Sequence, residues 1–311
     1  MSASSSSSSS SSSRAQTRGD TMVAARATQR TIIASMAACE FKIPELRPFQ
    51  LEAIRVLVYG LSTLLLVQGT GGGKSEVFFG AGLMLGGVCL CVAPLLGLGT
   101  AQAARASELS GVLSYHLDEL KRGTPAANDL AAYLNALTKE NEPGSRRSLP
   151  RAVFLFVSPQ ALLKGKLWGE VVRSLLKRSL VSLTMIDEMH KIPLEGVYFR
   201  KEMALLDENL FTHIKKSTRV VAVLAATATL TAGLLSEFKR MMTSVVFTEH
   251  LWGSVKGRHT LLKVSVKARS VDTFKSELSE HCARHPTHKA IVLTSEKARA
   301  KTNLRDVRIG Q

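Results

Sequence analysis

Thr63-Leu-Leu-Leu-Val67 runs directly into Gln68-Gly69-Thr70-Gly71-Gly72-Gly73-Lys74-Ser75, and a segment of helical character follows. An apolar run of strand length, a glycine-rich turn and a Lys-Ser pair opening a helix form the context that a phosphate-binding loop requires. Glycines let backbone N–H groups close around phosphate oxygens. The N-terminus of the helix adds its positive dipole. This pattern assigns Gly69, Thr70, Gly71, Gly72 and Gly73 to the cradle. Lys74 is expected to reach the β- and γ-phosphates, and the Ser75 hydroxyl to hold Mg²⁺. Gln68 stands where the strict pattern begins with glycine, so the match is one residue short.

Outward from this stretch, short apolar runs recur at 88–93, 152–157, 182–186 and 220–225, separated by helical segments. Strands that alternate with helices in this way predict an α/β fold with a central parallel sheet covered on both faces. Residues 104–150 are more polar and end in a turn-rich loop. After about residue 240 the pattern restarts, with apolar runs at 261–266 and 289–293. The expected organisation is therefore a disordered Ser/Arg-rich tail over 1–38, a nucleotide-binding domain over 39–242, and the opening of a second α/β lobe over 243–311.

The run 182–186 leads into Asp187-Glu188-Met189-His190. A strand ending in adjacent carboxylates suits metal-assisted hydrolysis: Asp187 is expected to hold Mg²⁺ and Glu188 to activate the attacking water. An Asp-Glu pair alone is weak evidence. Paired with Lys74 and Ser75 in this order it is strong.

The chain carries 41 Lys and Arg against 25 Asp and Glu, a formal charge of +16, which suits a polyanionic partner. The serine run 4–13 has no apolar face and is expected to be disordered. The Ser- and Arg-rich, acid-poor N-terminus has the character of an organelle transit peptide or of a plain basic extension. The four cysteines contain no CxxC pair, so neither a metal cluster nor a disulfide framework is expected, and a reducing compartment fits. The segment 77–100 has no charged residue and is long enough to span a bilayer. Gly86-Gly87 splits it into a helical and a strand-like part and Pro94 ends the strand, so a membrane span is rejected.

Leu46-Arg-Pro-Phe-Gln50, with Glu52-Ala-Ile54, resembles the adenine-recognition motif of RecQ-like superfamily 2 DNA helicases. The phosphate loop is similar to theirs, with Gly69 where proline is usual. The segment 91–98 resembles a strand-end motif that touches single-stranded DNA, and Phe156-Val-Ser-Pro-Gln160 a later one. Residues 187–190 resemble the DEAH box with Met189 in place of alanine, and Thr227-Ala-Thr229 resembles the motif coupling hydrolysis to lobe movement. The segment 191–200 matches the aromatic-rich DNA-sensing loop at Gly196, Phe199 and Arg200, with Glu195 replacing the usual tryptophan.

This resemblance, covering about residues 40–300, implies a RecA-like P-loop NTPase lobe followed by an incomplete second RecA-like lobe. It implies ATP and Mg²⁺ as cofactors. Gln50 would contact the adenine edge and Arg47 its face, with Ile43 where a stacking aromatic is common. His190, Thr227 and Thr229 would couple hydrolysis to movement, and Pro94, Ser158, Phe199 and Arg200 would meet nucleic acid. The expected activity is an ATP-dependent 3′–5′ DNA helicase acting on single-stranded or forked DNA, without a membrane partner. The expected location is the nucleus, with an organelle as the alternative. The arginine finger of the second lobe lies beyond motifs present here, so slow hydrolysis by this chain is expected. The alternative is a paralogue that binds ATP and nucleic acid without productive unwinding.

Overall fold

The computed structural model describes residues 9–41, 43, 45–121, 123–137, 150–196, 199–253, 280 and 283–284. The chain divides into two units, Met1–Arg258 and His259–Gln311. The apolar runs expected to open a second lobe, at 261–266 and 289–293, lie outside the described residues.

The first unit is built on seven strands: β1 (Thr63–Val67), β2 (Gly87–Val92), β3 (Val112–His116), β4 (Ala152–Val157), β5 (Val181–Ile186), β6 (Ala222–Thr227) and β7 (Glu249–Trp252). They lie in the order β3-β4-β2-β5-β6-β1-β7, and every pairing is parallel. The five inner strands are almost wholly apolar and buried, as sequences must be when helices cover both faces of a sheet.

Alternate residues of each inner strand feed two separate cores. Leu64, Leu66, Cys89, Cys91, Phe154 and Phe156 face one way. They meet helices α1 (Ser9–Cys39), α2 (Pro48–Gly60), α3 (Lys74–Leu85) and α4 (Leu96–Ser107). Leu65, Val67, Leu90, Val92, Leu155 and Val157 face the other way. There they are covered by α5 (Pro125–Leu137), α6 (Leu167–Lys177), α7 (Lys191–Glu195), α8 (Lys201–Ala204), α9 (Thr212–Lys215) and α10 (Ala232–Met241), together with a π-turn at Asp207–Phe211.

Three elements differ from the sequence reading. The polar stretch 104–150 contains β3, an edge strand whose residues are mostly half-buried, so it lacks the apolar run that marks an inner strand. Strand β7 is a mostly exposed edge strand with the same consequence. The third correction concerns the N-terminal tail, expected to be disordered over 1–38. From Ser9 onward the chain is helical to Cys39, and Ile33 and Ala37 are buried in the core. The physical reason is a docking face at its C-terminal end. Arg30 bonds Glu52 of α2 at 2.5 Å, Arg55 grips the same carboxylate at 2.7 Å, and the two cations hold it down to about 2 against the opposing effect of burial.

The uncharged run 77–100 is divided among α3, β2 and the start of α4, and no helix among the described residues is long and apolar enough to cross a membrane.

Helix α3 lies close on the sheet at Gly82, where an added Cβ would meet Phe154 at 2.6 Å and Cys89 Sγ at 2.8 Å. Gly82→Ala gains about 1 kcal/mol of helix propensity but overpacks a rigid aromatic cluster at a cost of about 1–3 kcal/mol. A net loss of about 1 kcal/mol in urea unfolding is expected. A gain would mean that the α3–sheet spacing relaxes freely.

Candidate nucleotide-binding cleft and strand-end groove

Strands β1 and β5 are separated only by β6 and end at the same edge of the sheet, with Val67 opposite Thr227 and Ile186 opposite Ala225. Loops that leave this edge therefore converge. A cleft of about 440 Å³ opens here, and its walls include Arg47, Gln50, Lys74, Ser75, Asp187 and Glu188. Glu45, Gly71, Gly73, Glu76, Leu98, Gln102 and Arg105 complete it.

The loop owes its path to glycine. Gly71 and Gly73 have φ of 70° and 89°, in the left-handed region that disfavours side chains. At Gly73 a Cβ would stand 2.4 Å from Gln50 Nε2, so a side chain there would have to displace the Gln50 amide in addition to adopting a left-handed backbone. The Gln50 amide donates to Gly73 O at 2.9 Å, and Arg47 donates to Gly72 O at 2.8 Å. Gln50 Oε1 in turn accepts from the Arg47 N–H at 2.7 Å, which closes the N-terminus of α2. The residues expected to recognise adenine thus also brace the phosphate loop. Lys74 Nζ donates to Gln68 O at 3.1 Å, which holds the ammonium across the mouth of the loop. Gly69 accepts from the Gly72 N–H at 3.0 Å within the turn, and Thr70 is exposed.

At the end of β5 the carboxylate of Asp187 is buried, and each of its oxygens has a donor. Oδ2 accepts from Gln102 Nε2 at 2.8 Å and Oδ1 from the Glu188 N–H at 3.0 Å. Burial pushes the Asp187 carboxyl up from its ordinary value and the neighbouring Glu188 adds to this; Gln102 and Lys74 act against it. Glu188 has φ of 50°, a conformation a non-glycine residue adopts at a cost of order 1–3 kcal/mol and that recurs at functional sites. Behind it, His190 Nδ1 lies 3.2 Å from Glu188 Oε2 and 2.7 Å from Thr227 Oγ1. Thr227 donates to Thr229 O at 2.9 Å. The three residues expected to couple hydrolysis to movement are thus hydrogen-bonded to one another, and Glu188 Oε2 stands at ion-pair distance from His190 without a hydrogen bond of its own.

The residue set suits Mg²⁺ with a nucleotide. Among the described residues no group of three or more His, Cys, Asp and Glu could hold a metal unaided. A Ser hydroxyl and one carboxylate facing a cleft are the hard oxygen ligands with which Mg²⁺ is held when phosphates complete the shell.

Pro94, Ser158 and Arg200 line a second groove of about 240 Å³, with Leu95, Leu96, Pro159, Gln160 and Glu202. Ser158 is held by Asp118 through its N–H at 2.9 Å and its hydroxyl at 2.5 Å. Arg200 donates to Pro94 O and lies 3.5 Å from Glu195. Phe199 is 78% exposed, with the Arg200 guanidinium 5.8 Å from its ring centre.

Ile43, placed where a stacking aromatic is common, is buried against Ile54 and Gly80 and faces the core, not the cleft. The sequence reading also missed Gln102 and Arg105. On α4 the buried positions Gly99, Gln102, Ala103 and Ala106 form one helical stripe. A glutamine within an otherwise small, apolar stripe was the signal available.

Comparison with known proteins agrees with this geometry. The profile of the DEAD/DEAH box helicases matches residues 47–238. A Bacillus subtilis (strain 168) protein named "Probable ATP-dependent DNA helicase RecS" is 29% identical over 224 residues, 72% of this chain and 39% of that protein. The ATP-dependent DNA helicase Q-like 5 of Arabidopsis thaliana is 30% identical over 189 residues, 60% of this chain and 18% of that protein. This chain therefore spans well under half of each relative's length. Among solved structures, the Mycobacterium smegmatis helicase Lhr bound to ssDNA and AMP-PNP superposes with a TM-score of 0.53 at 16% identity, over 84% of this chain and 33% of that one. At that identity the likeness concerns the fold. With the profile covering more than half of the sequence, the chain belongs to the DEAD/DEAH box helicase family.

Proposed function

We propose that this chain is the ATP-binding lobe of a RecQ-type DNA helicase that hydrolyses ATP and uses it to move 3′–5′ along single-stranded or forked DNA. The observation that carries the reading is the convergence of Lys74 and Ser75 with Asp187 and Glu188 on one cleft. The relatives' names supply the DNA-helicase class, and the polarity rests on the family resemblance. A nuclear location belongs to the same reading.

Each side chain has a role set by where it stands. Arg47 and Gln50 sit at the rim, where an adenine face and edge would meet them. Lys74 leaves Gln68 O for the phosphates as they enter the cradle, exchanging a neutral acceptor for a charged one. Ser75 and Asp187 would hold Mg²⁺, and when bound it would supply positive charge beside the phosphates. Glu188 orients water and accepts its proton, and the proton on the carboxylate is felt by His190 at 3.2 Å. From there Thr227 and Thr229 carry the change to the loop that begins α10.

Nucleic acid is placed in the groove between Pro94, Ser158 and Arg200, with Phe199 available for stacking. One observation favours a second reading, a module that binds ATP and nucleic acid without productive unwinding. Glu195 lies 3.4 Å from Lys191 and 3.5 Å from Arg200, so it offsets one of the two positive charges of the segment expected to sense DNA. Stimulation of single-turnover ATP hydrolysis by oligo(dT) separates the readings, because only the first requires it.

Lys74→Ala should lower single-turnover ATP hydrolysis by about a hundredfold or more, the usual cost of removing a charge preorganised for the transition state. Glu188→Gln should keep binding of a fluorescent ATP analogue and lose about 10²–10⁴ in phosphate release. Unchanged turnover in the first variant would sink the phosphate-loop assignment; lost nucleotide binding in the second would contradict its role as base.

Binding of a fluorescent oligo(dT) should weaken steadily as KCl rises, as counterion release demands. Arg200→Ala should flatten the log–log slope by about 0.7, one phosphate contact on a single strand. A slope identical to that of the unaltered chain would place the nucleic acid elsewhere.

A further inference from the structure

Helix α4 touches both halves of the nucleotide cleft. Gln102 bonds Asp187, and one turn later Arg105 pairs with Glu76, the residue that follows Ser75. The same helix starts at Leu95 and Leu96, which form a wall of the strand-end groove. Gln102 is the one of these contacts that is fully enclosed. It is 8% exposed, and both ends of its amide have a partner. Cys91 Sγ donates to Oε1 at 3.7 Å, and Nε2 donates to Asp187 at 2.8 Å. The thiol can only donate usefully to the oxygen, so the amide cannot flip without losing both bonds. Gln102 therefore presents a fixed N–H to one oxygen of Asp187 while the Glu188 N–H fixes the other.

We propose that Gln102 is a positioning residue for the metal-binding carboxylate: it sets the rotation of Asp187 so that the remaining lone pairs face the cleft beside Ser75. The inference rests on the reading of the cleft as an ATP·Mg²⁺ site. Partners that orient a metal ligand typically carry about 10- to 100-fold in metal affinity. Gln102 hydrogen-bonds Cys91 and Asp187 and neither Lys74 nor the glycine loop, so its effect on nucleotide should run mainly through the metal ligand.

The test titrates Mg²⁺ into the full 311-residue chain with a fluorescent ATP analogue, using the same mixture in EDTA as the metal-free reference. Gln102→Met keeps the length and apolar bulk of the side chain and removes the donor; Gln102→Glu keeps the shape and opposes two carboxylates. Both should raise the half-saturating Mg²⁺ concentration by about tenfold or more, a larger factor than any change in binding in EDTA. A role confined to packing would not split the two conditions. If Gln102→Met titrates like the unaltered chain while Asp187→Asn loses its Mg²⁺ response, Gln102 does not position Asp187 and this inference falls alone. If Asp187→Asn also titrates like the unaltered chain, the nucleotide-site reading falls with it. Should Gln102→Glu fail to fold, Gln102→Met decides the matter by itself.

Discussion

The parallel pairing of β5, β6 and β1 is the constraint from which the cleft follows. In a parallel sheet all strands point the same way, so the chain must leave each of them at the same edge. Register then fixes how far each one reaches. Val67 stands beside Thr227, and Ile186 beside Ala225. The glycine loop, the Asp-Glu pair and the Thr227 turn thus emerge within a few residues of the same line, although 160 positions of sequence separate Val67 from Thr227. A slip of one residue in β5 would turn Asp187 to the opposite face of the sheet. Burial of both faces of β5 prevents that slip, since it would break two cores at once.

The cleft departs from what stability alone would select. Asp187 is a carboxylate inside the protein, and Glu188 holds a left-handed backbone conformation. Lys74 is satisfied by a backbone carbonyl in place of an anion. The Asp187 and Lys74 arrangements are awkward for the folded chain by themselves, and the occupant proposed above, a polyanion carrying a hard cation, would relieve both. Phosphate oxygens give Lys74 a charged acceptor, and a metal ion offsets the burial of Asp187. Such strain is preserved because the surrounding sheet over-determines it.

Those departures also explain what the sequence reveals. The five inner strands are visible because burial on both faces demands continuous apolar runs, and the phosphate loop is visible because backbone geometry demands glycine. Edge strands β3 and β7 are under neither demand; Val112–His116 is half-buried and Glu249–Trp252 mostly exposed. Helix α1 is obscured by its serine-rich beginning, whereas Ile33, Ala37 and the Arg30–Glu52 pair that dock it lie in its last turns. Ile43 occupies the expected place in the motif, yet an aliphatic side chain beside Ile54 gains more from the core than from an open cleft. Gln102 is legible only as an exception to a pattern, a polar residue on a buried stripe, and its partner Asp187 is 85 positions away.

The wall between the cleft and the strand-end groove is thin, and its packing matters to how the two communicate. Pro94 lines the groove and Asp187 the cleft, and both border one small recess of about 10 Å³ with Ile186, Pro159 and Met203. A recess of that size is at the limit of one water molecule, so little can be absorbed by local rearrangement. The backbone crosses the wall without slack as well: the Asp187 N–H bonds Val92 O at 3.1 Å and the Ala93 N–H bonds Val157 O at 3.0 Å. Close-packed interiors transmit displacement because they compress poorly. Pro94 follows Ala93, which bonds the end of β4, and the end of β2 bonds Asp187 directly, so the groove and the carboxylate are joined through consecutive backbone bonds. Helix α4 adds a second physical link between the two, since its first residues wall the groove and its Gln102 holds the carboxylate.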